Sequence, residues 1–256
     1  MKKAQELFGE LLSIIKRLRD PENGCPWDLK QTHKTLKPYL IEESYELLDA
    51  IDNTPQKIPE ELGDVLLQVV LHSQIGSDED TFTIEDVLKG INQKLIERHP
   101  HIFADTKVDS AEEVLENWEA IKNKKRTRGS SMLDGVPEAM PALLVSHRLG
   151  EKTARVGFDW ERVSDVKEKV VEELGELVEA LESKDSEKIS EEFGDLLFVL
   201  AQLIRKSGFN AEELLKAANK KFINRFKHME QNTEKPLEKL TAEELEALWQ
   251  EAKSTC

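Results

Sequence analysis

The chain has 256 residues, a formal net charge of −15 and two cysteines, Cys25 and Cys256. That charge argues against broad contacts with nucleic acid or anionic membranes, which need a basic surface, and two distant thiols give neither a disulfide framework nor a paired zinc knuckle. With 34% charged and 39% hydrophobic residues, 12 Gly and 9 Pro, the balance suits long helices better than sheet. The N-terminus lacks the apolar core of a signal peptide, and no run approaches the roughly 20 apolar residues that span a bilayer. A soluble protein of the reducing cytoplasm is the expectation.

In chain order, Leu7, Leu11, Ile14, Ile15 and Leu18 recur at helical spacing, which predicts an amphipathic helix over 2–19, ended before Pro21. A polar loop runs to a helix start near Pro38, and that helix stops around Asn53 to Pro55. A third helix is expected from about Gln56 to Ile75, with a loop at Gly76 to Asp80 and a fourth helix from Ile84 to the approach to Pro100. Ser110, with Glu113 three residues on, looks like the cap of a helix over 110–125. The run Lys122–Arg128 is strongly basic, and the Gly, Ser and Pro that follow read as a linker over 127–140. Beyond it, helices are expected at about 142–153, 163–183, 186–207, 211–229 and 241–253. No stretch alternates in the manner of a strand. The reading is therefore all-α, with helical domains at 1–126 and 141–256.

Two acidic motifs fall on consecutive helices of the second half. Glu172, Glu173 and Glu176 lie on the first, where Val163, Val166, Val170, Leu174, Leu177 and Leu181 form the apolar stripe expected to face the core. Glu192 and Asp195 lie on the second, beside Phe193, Leu196, Leu197, Leu200 and Leu203. At about 100° per residue, Glu173 and Glu176 share one flank of their stripe, as do Glu192 and Asp195, while Glu172 points further away. Four carboxylates at one seam repel one another unless protonated or neutralised by a cation. An all-oxygen ligand set without Cys or His favours magnesium or manganese over zinc. One such motif is common on a charged helix face, but the chain repeats it.

Glu42, Glu43 and Glu46 match Glu172, Glu173 and Glu176 at an offset of 130, and Glu61 and Asp64 match Glu192 and Asp195 at 131. Phe82, Glu85, Asp86, Val87 and Leu88 resemble Phe209, Glu212, Glu213, Leu214 and Leu215 at an offset of 127, as Lys94 and Arg98 match Lys221 and Arg225. Trp118 and Trp249 close the series. A period this long marks two copies of a helical bundle, since solenoid units run only about 20 to 50 residues. The copies differ in one charge: Lys169 aligns with Tyr39, whereas Lys188 aligns with Lys57.

Lys221 and Arg225, four apart, can reach one polyanion and, with Lys169 and Lys188, bring up to four positive charges to an acidic, metal-holding cleft. That combination fits a triphosphate attacked by water. Trp118 and Trp249 either stack on a base or close a core, the latter being the commoner role of such a ring. A di-iron carboxylate bundle needs Glu-x-x-His pairs, and the sequence has none. A non-catalytic helical scaffold leaves the doubled spacing and its cations unexplained.

The doubled order Glu-Glu-x-x-Glu then Glu-x-x-Asp resembles the MazG family of nucleoside triphosphate pyrophosphohydrolases. Cys25-Pro26-Trp27-Asp28, Gln31-Thr32-His33, Pro38-Tyr39 and Arg98-His99-Pro100-His101-Ile102-Phe103 are similar to that family's N-terminal half. The resemblance covers nearly the whole chain. It implies an all-α homodimer that uses Mg2+, with Mn2+ as a substitute, to cleave ribo- and deoxyribonucleoside triphosphates of many bases to monophosphate and diphosphate, a chemistry linked to clearing aberrant nucleotides. Carried over by position, Glu173, Glu176, Glu192 and Asp195 are the expected metal ligands, and Glu172 a nearby ligand, orienting group or holder of water. Lys169, Lys188, Glu191, Lys221, Arg225 and Trp249 are expected to bind the nucleotide. Glu43, Glu46, Glu61 and Asp64 make a second possible metal site, whose copy is expected to be weaker or to serve dimerisation or regulation.

Overall fold

A computed structural model of the protein describes residues 1–104, 106–108, 110, 113–114, 117–118, 121, 129, 131–233 and 235–255. The regular structure is helical, with no strand among the described residues. The chain divides into two compact units, Met1–Arg126 and Thr127–Cys256. Much of the helix expected over 110–125, the basic run to Arg128, the start of the linker and Cys256 lie outside the described residues, although Ser110 Oγ does accept from the Glu113 amide at 3.2 Å.

In the first unit α1 spans Lys2–Leu18, the single-turn α2 Pro26–Leu29, α3 Lys37–Asn53, α4 Ile58–Asp78, α5 Ile84–Arg98 and the single-turn α6 Pro100–Phe103. Its core gathers Ile15 of α1, Leu36 at the entrance to α3 and Val70, Leu71 and Ile75 of α4, with Phe8, Leu11, Leu12 and Leu67 packed around them. The α4 helix is therefore the centre of this unit, and α1, α3 and α5 pack on it. It also runs past Ile75, where a loop was expected. The bare Cα of Gly76 lets the Phe82 ring lie against the helix where any Cβ would overlap it, and Arg19 holds the far end through Asp78 at 2.6 Å. The α5 start is fixed by a capping box between Thr83 and Asp86.

In the second unit α7 spans Ala142–Ala154, α8 Val163–Ser183, α9 Ser186–Lys206, α10 Ala211–Gln231 and α11 Ala242–Thr255. Asp185 and Asn210 cap α9 and α10 through their side-chain oxygens, and Thr241 with Glu244 opens α11 as a capping box. The α8 and α9 helices form an antiparallel hairpin, closed by Lys184 in the left-handed conformation at φ 59°. Residues 131–141 pack onto α7. Lys152 Nζ donates to the Met132 carbonyl at 2.8 Å, and Leu133 shares with Leu149, Phe158, Trp160 and Phe198 the lining of an apolar cavity of about 450 Å³.

Burial narrows the face assigned to α8, where Val166 and Leu177 of the expected stripe are buried, and corrects that of α9. The residues that α8 buries are Val166, Glu173, Leu177 and Ala180, whereas Val163, Leu174 and Leu181 of the expected stripe are exposed, together with Val171 and Val178. On α9 the buried residues are Val199, Ala201 and Gln202, and Phe193 and Leu197 are exposed. The apolar arc of α8 is wide, and only the side carrying Val166, Leu177 and Ala180 is covered within the chain. None of the helices among the described residues is long and apolar enough to cross a membrane.

Candidate metal centre

The hairpin geometry brings the acids together. Glu176 lies eight residues before Lys184 and Glu192 seven after Asp185, so the two stand at the same height on facing helices. Glu173 is one turn below Glu176. Carboxylate oxygens of Glu173, Glu176 and Glu192 all lie within 4.8 Å of one another. Asp195, the fourth expected ligand, is exposed and is not one of the three convergent carboxylates. It carries one methylene fewer than glutamate and sits a turn further along α9, yet it is near enough to act on Glu192.

The electrostatics follow from that crowding. Burial, then Glu176, Glu173 and Asp195, raise the Glu192 carboxyl above the ordinary glutamate range, and Lys188 offsets them only in part. Glu173 is 5% exposed and meets the Lys169 ammonium at 2.7 Å. The same ammonium pairs with Glu172 at 2.8 Å. Hydrogen bonds to Glu172 and then Glu173 raise the Lys169 pKa above the usual lysine range. Glu191 is exposed beside Glu192.

The first unit repeats the arrangement. Glu46 lies eight residues before Thr54 and Glu61 seven after it, on α3 and α4, and oxygens of Glu43, Glu46 and Glu61 again lie within 4.8 Å of one another. Burial, then Glu46 and Glu60, raise Glu61, with Lys57 opposing and Asp64 adding to the effect. Burial, then Asp64, Glu46, Glu42 and Glu61, raise Glu43.

The remaining expected basic and aromatic residues lie on α10 and α11. Arg225 lies over the Trp249 ring at 5.9 Å, its buried Nε without a hydrogen-bond partner, and Phe222 tilts against the same indole at 5.3 Å. Lys221 lines an open basic depression with Lys220, Lys227 and His228. These residues belong to α10 and α11, which pack chiefly on each other and on α7. Among the described residues no ion pair joins Lys221 or Arg225 to the carboxylates. Arg98 over Trp118 at 5.4 Å repeats the Arg225–Trp249 contact in the first unit.

Two arrangements escaped the sequence reading. Asp159, in the turn before α8, accepts from Arg205 at 2.6 Å and from Lys206 at 2.9 Å. His33 and His72 stack at 5.1 Å, with their Nδ1 atoms 2.7 Å apart. Each joins residues 39 or more apart in sequence, and nothing in local spacing signals such a pair.

The donor set suits a hard divalent cation: three carboxylates per cluster, each cluster with a buried member, and no nitrogen or sulfur. Two antiparallel helical pairs, each holding such a cluster, define a tandem acidic-bundle protein. The MazG nucleotide pyrophosphohydrolase domain matches residues 31–103 and again 162–230. The chain is 48% identical over 258 residues, 99% of this chain and 98% of the other, to the nucleoside triphosphate pyrophosphohydrolase/pyrophosphatase MazG of Thermotoga maritima. It is 43% identical over 251 residues, 95% of each chain, to the nucleoside triphosphate pyrophosphohydrolase of Escherichia coli. It is also 51% identical over 255 residues to the uncharacterized Bacillus subtilis protein YabN, covering 97% of this chain and 52% of that one. The chain belongs to the MazG nucleotide pyrophosphohydrolase family, with two MazG domains in tandem.

Proposed function

We propose that this protein is a magnesium-dependent nucleoside triphosphate pyrophosphohydrolase, with manganese able to substitute. It converts ribo- and deoxyribonucleoside triphosphates of varied base, with one water, to the monophosphate and diphosphate, and serves to clear aberrant nucleotides in the cytoplasm. The observation that carries this reading is the convergence of Glu173, Glu176 and Glu192 within 4.8 Å on the α8–α9 hairpin, flanked by Lys169 and Lys188. Relatives spanning the whole chain that are named for this activity support it.

Glu173, Glu176, Glu192 and, from the edge, Asp195 would hold the metal. A divalent ion at such a site supplies charge neutralisation and Lewis acidity at a phosphoryl group. Lys169 and Lys188 place positive charge where the phosphate chain accumulates negative charge. Glu172, exposed and next to Glu173, is our candidate for orienting the attacking water, whose oxygen bonds to phosphorus as the anhydride oxygen leaves with the diphosphate. Glu191 lies beside this group as a contact for the nucleotide. Lys221 and Arg225 grip the outer phosphates once the α10–α11 face meets the ligand, and Trp249, already paired with Arg225, offers a ring for the base.

The exposed apolar faces of α8 and α9 support a homodimer, because a monomer that leaves such faces to water loses their burial energy. We infer that the second unit carries most of the catalysis. The test is release of diphosphate from a mixed nucleotide panel with magnesium and with a chelator. Glu176→Ala is expected to lose about a hundredfold or more in rate, and Glu46→Ala far less. Turnover that survives both the chelator and Glu176→Ala sinks the metal-hydrolase reading, and equal losses from the two variants sink the asymmetry.

A further inference from the structure

The two carboxylate clusters share their spacing and their 4.8 Å convergence, and a lysine one turn ahead of the second acidic motif, Lys57 or Lys188, sits near each. They differ in which member is buried, Glu61 in the first and Glu173 in the second, and in the cation beside them. In the second unit the Lys169 ammonium lies 2.7 Å from Glu173 and 2.8 Å from Glu172, so a tethered cation already compensates the buried member of that cluster. In the first unit the matching residue is Tyr39, whose ring packs edge-on against Trp27 at 5.7 Å. Glu61, nine-tenths buried and directed into the cluster, makes no hydrogen bond or ion pair among the described residues. Three carboxylates crowded together with no cation in contact repel one another unless a cation or a proton joins them.

We propose that the first unit's cluster of Glu43, Glu46 and Glu61 takes up a free divalent cation, whereas the second unit's cluster takes one only together with a polyphosphate that draws Lys169 off Glu173. Lys169 thus couples the metal to the nucleotide. With no phosphate present its charge repels an incoming cation from the ligands it pairs with, and with phosphate present the same charge finds a better partner and leaves Glu173 free. The first unit has no such gate, so its metal binds independently of nucleotide. This inference rests on the metal-dependent reading given above and adds an order of binding to it.

The test is manganese binding to the full chain, followed by the loss of the free-ion paramagnetic resonance signal and independent of turnover. Without nucleotide, one high-affinity site per chain is expected, abolished by Glu46→Gln and untouched by Glu176→Gln. Adding a non-hydrolysable triphosphate is expected to create a second site that Glu176→Gln abolishes. Lys169→Met is expected to tighten nucleotide-free binding at the second unit by about tenfold or more, and Tyr39→Lys to weaken the first site by a similar factor. These two variants leave every carboxylate in place and are read without nucleotide, where the phosphate contact proposed for Lys169 plays no part, so they remain informative if a carboxylate variant folds poorly. Two equal sites without nucleotide, or no effect of Lys169→Met, overturn the proposal while leaving the hydrolase reading intact if turnover persists. Absence of manganese binding under every condition overturns both.

Discussion

Asp159 shows how much one residue in a turn can hold. Partial burial raises its carboxyl, yet hydrogen bonds and charge from Arg205 and Lys206 outweigh burial and leave the pKa below the usual 3.8. A carboxylate with a depressed folded pKa gives its full stabilisation above the unfolded value and loses it as pH falls through the folded one. Asp159→Asn is therefore expected to cost about 2 kcal/mol at neutral pH and to remove part of the acid sensitivity below pH 3.8, as read from urea denaturation at several pH values. An unchanged acid limb excludes Asp159 as its source. Gly150 guards the same group, because a Cβ there would overlap the Gln202 amide oxygen and the Arg205 guanidinium. Gln202 is buried, donates to the Ser146 carbonyl at 2.7 Å and accepts from Arg205 at 2.7 Å, so it has little room to yield. Gly150→Ala should destabilise by about 1 to 3 kcal/mol, measurable as a lower denaturation midpoint; a wild-type midpoint would mean the pair relaxes freely.

At the scale of the element, α8 and α9 show what periodicity reveals and what it hides. The expected bounds of about 163–183 and 186–207 stand within a residue of the observed 163–183 and 186–206, and the structure adds Asp185 as the cap between them. Which part of the apolar arc turns inward does not follow from the repeat, because Val163, Leu174 and Leu181 are as apolar as their neighbours Val166 and Leu177, and an arc this wide can be covered from either side. Glu173 lies on the inner side, where Lys169 neutralises it. The acidic pairs themselves were legible, since i,i+3 spacing fixes neighbours on any helix. The nearness of Glu176 to Glu192 was expected as well, because a short turn returns the chain on itself. The outer face carries a prediction of its own. Leu174→Glu with Leu197→Glu should convert the proposed dimer to monomers, seen as a halved mass by light scattering with helix content kept. A wild-type protein that is already monomeric rules the dimer out.

Across the whole molecule, the duplication was readable because carboxylates, cations and tryptophans recur in one order at nearly constant offset. What the order could not carry was distance across elements. Arg225 and Trp249 meet, as Arg98 and Trp118 do, but that meeting depends on how α10 packs on α11. No single-helix pattern encodes that.

The two halves also fasten themselves with opposite polarity. In the first, the residue after α1 is the cation, Arg19, and the end of α4 supplies the anion, Asp78; in the second, the turn after α7 supplies Asp159 and the end of α9 supplies Arg205 and Lys206. Two near-copies on one chain risk trading strands of helix while they fold. Here a mistaken exchange sets carboxylate against carboxylate at one joint and guanidinium against guanidinium at the other, so each half rejects its sibling's long helix and closes on its own.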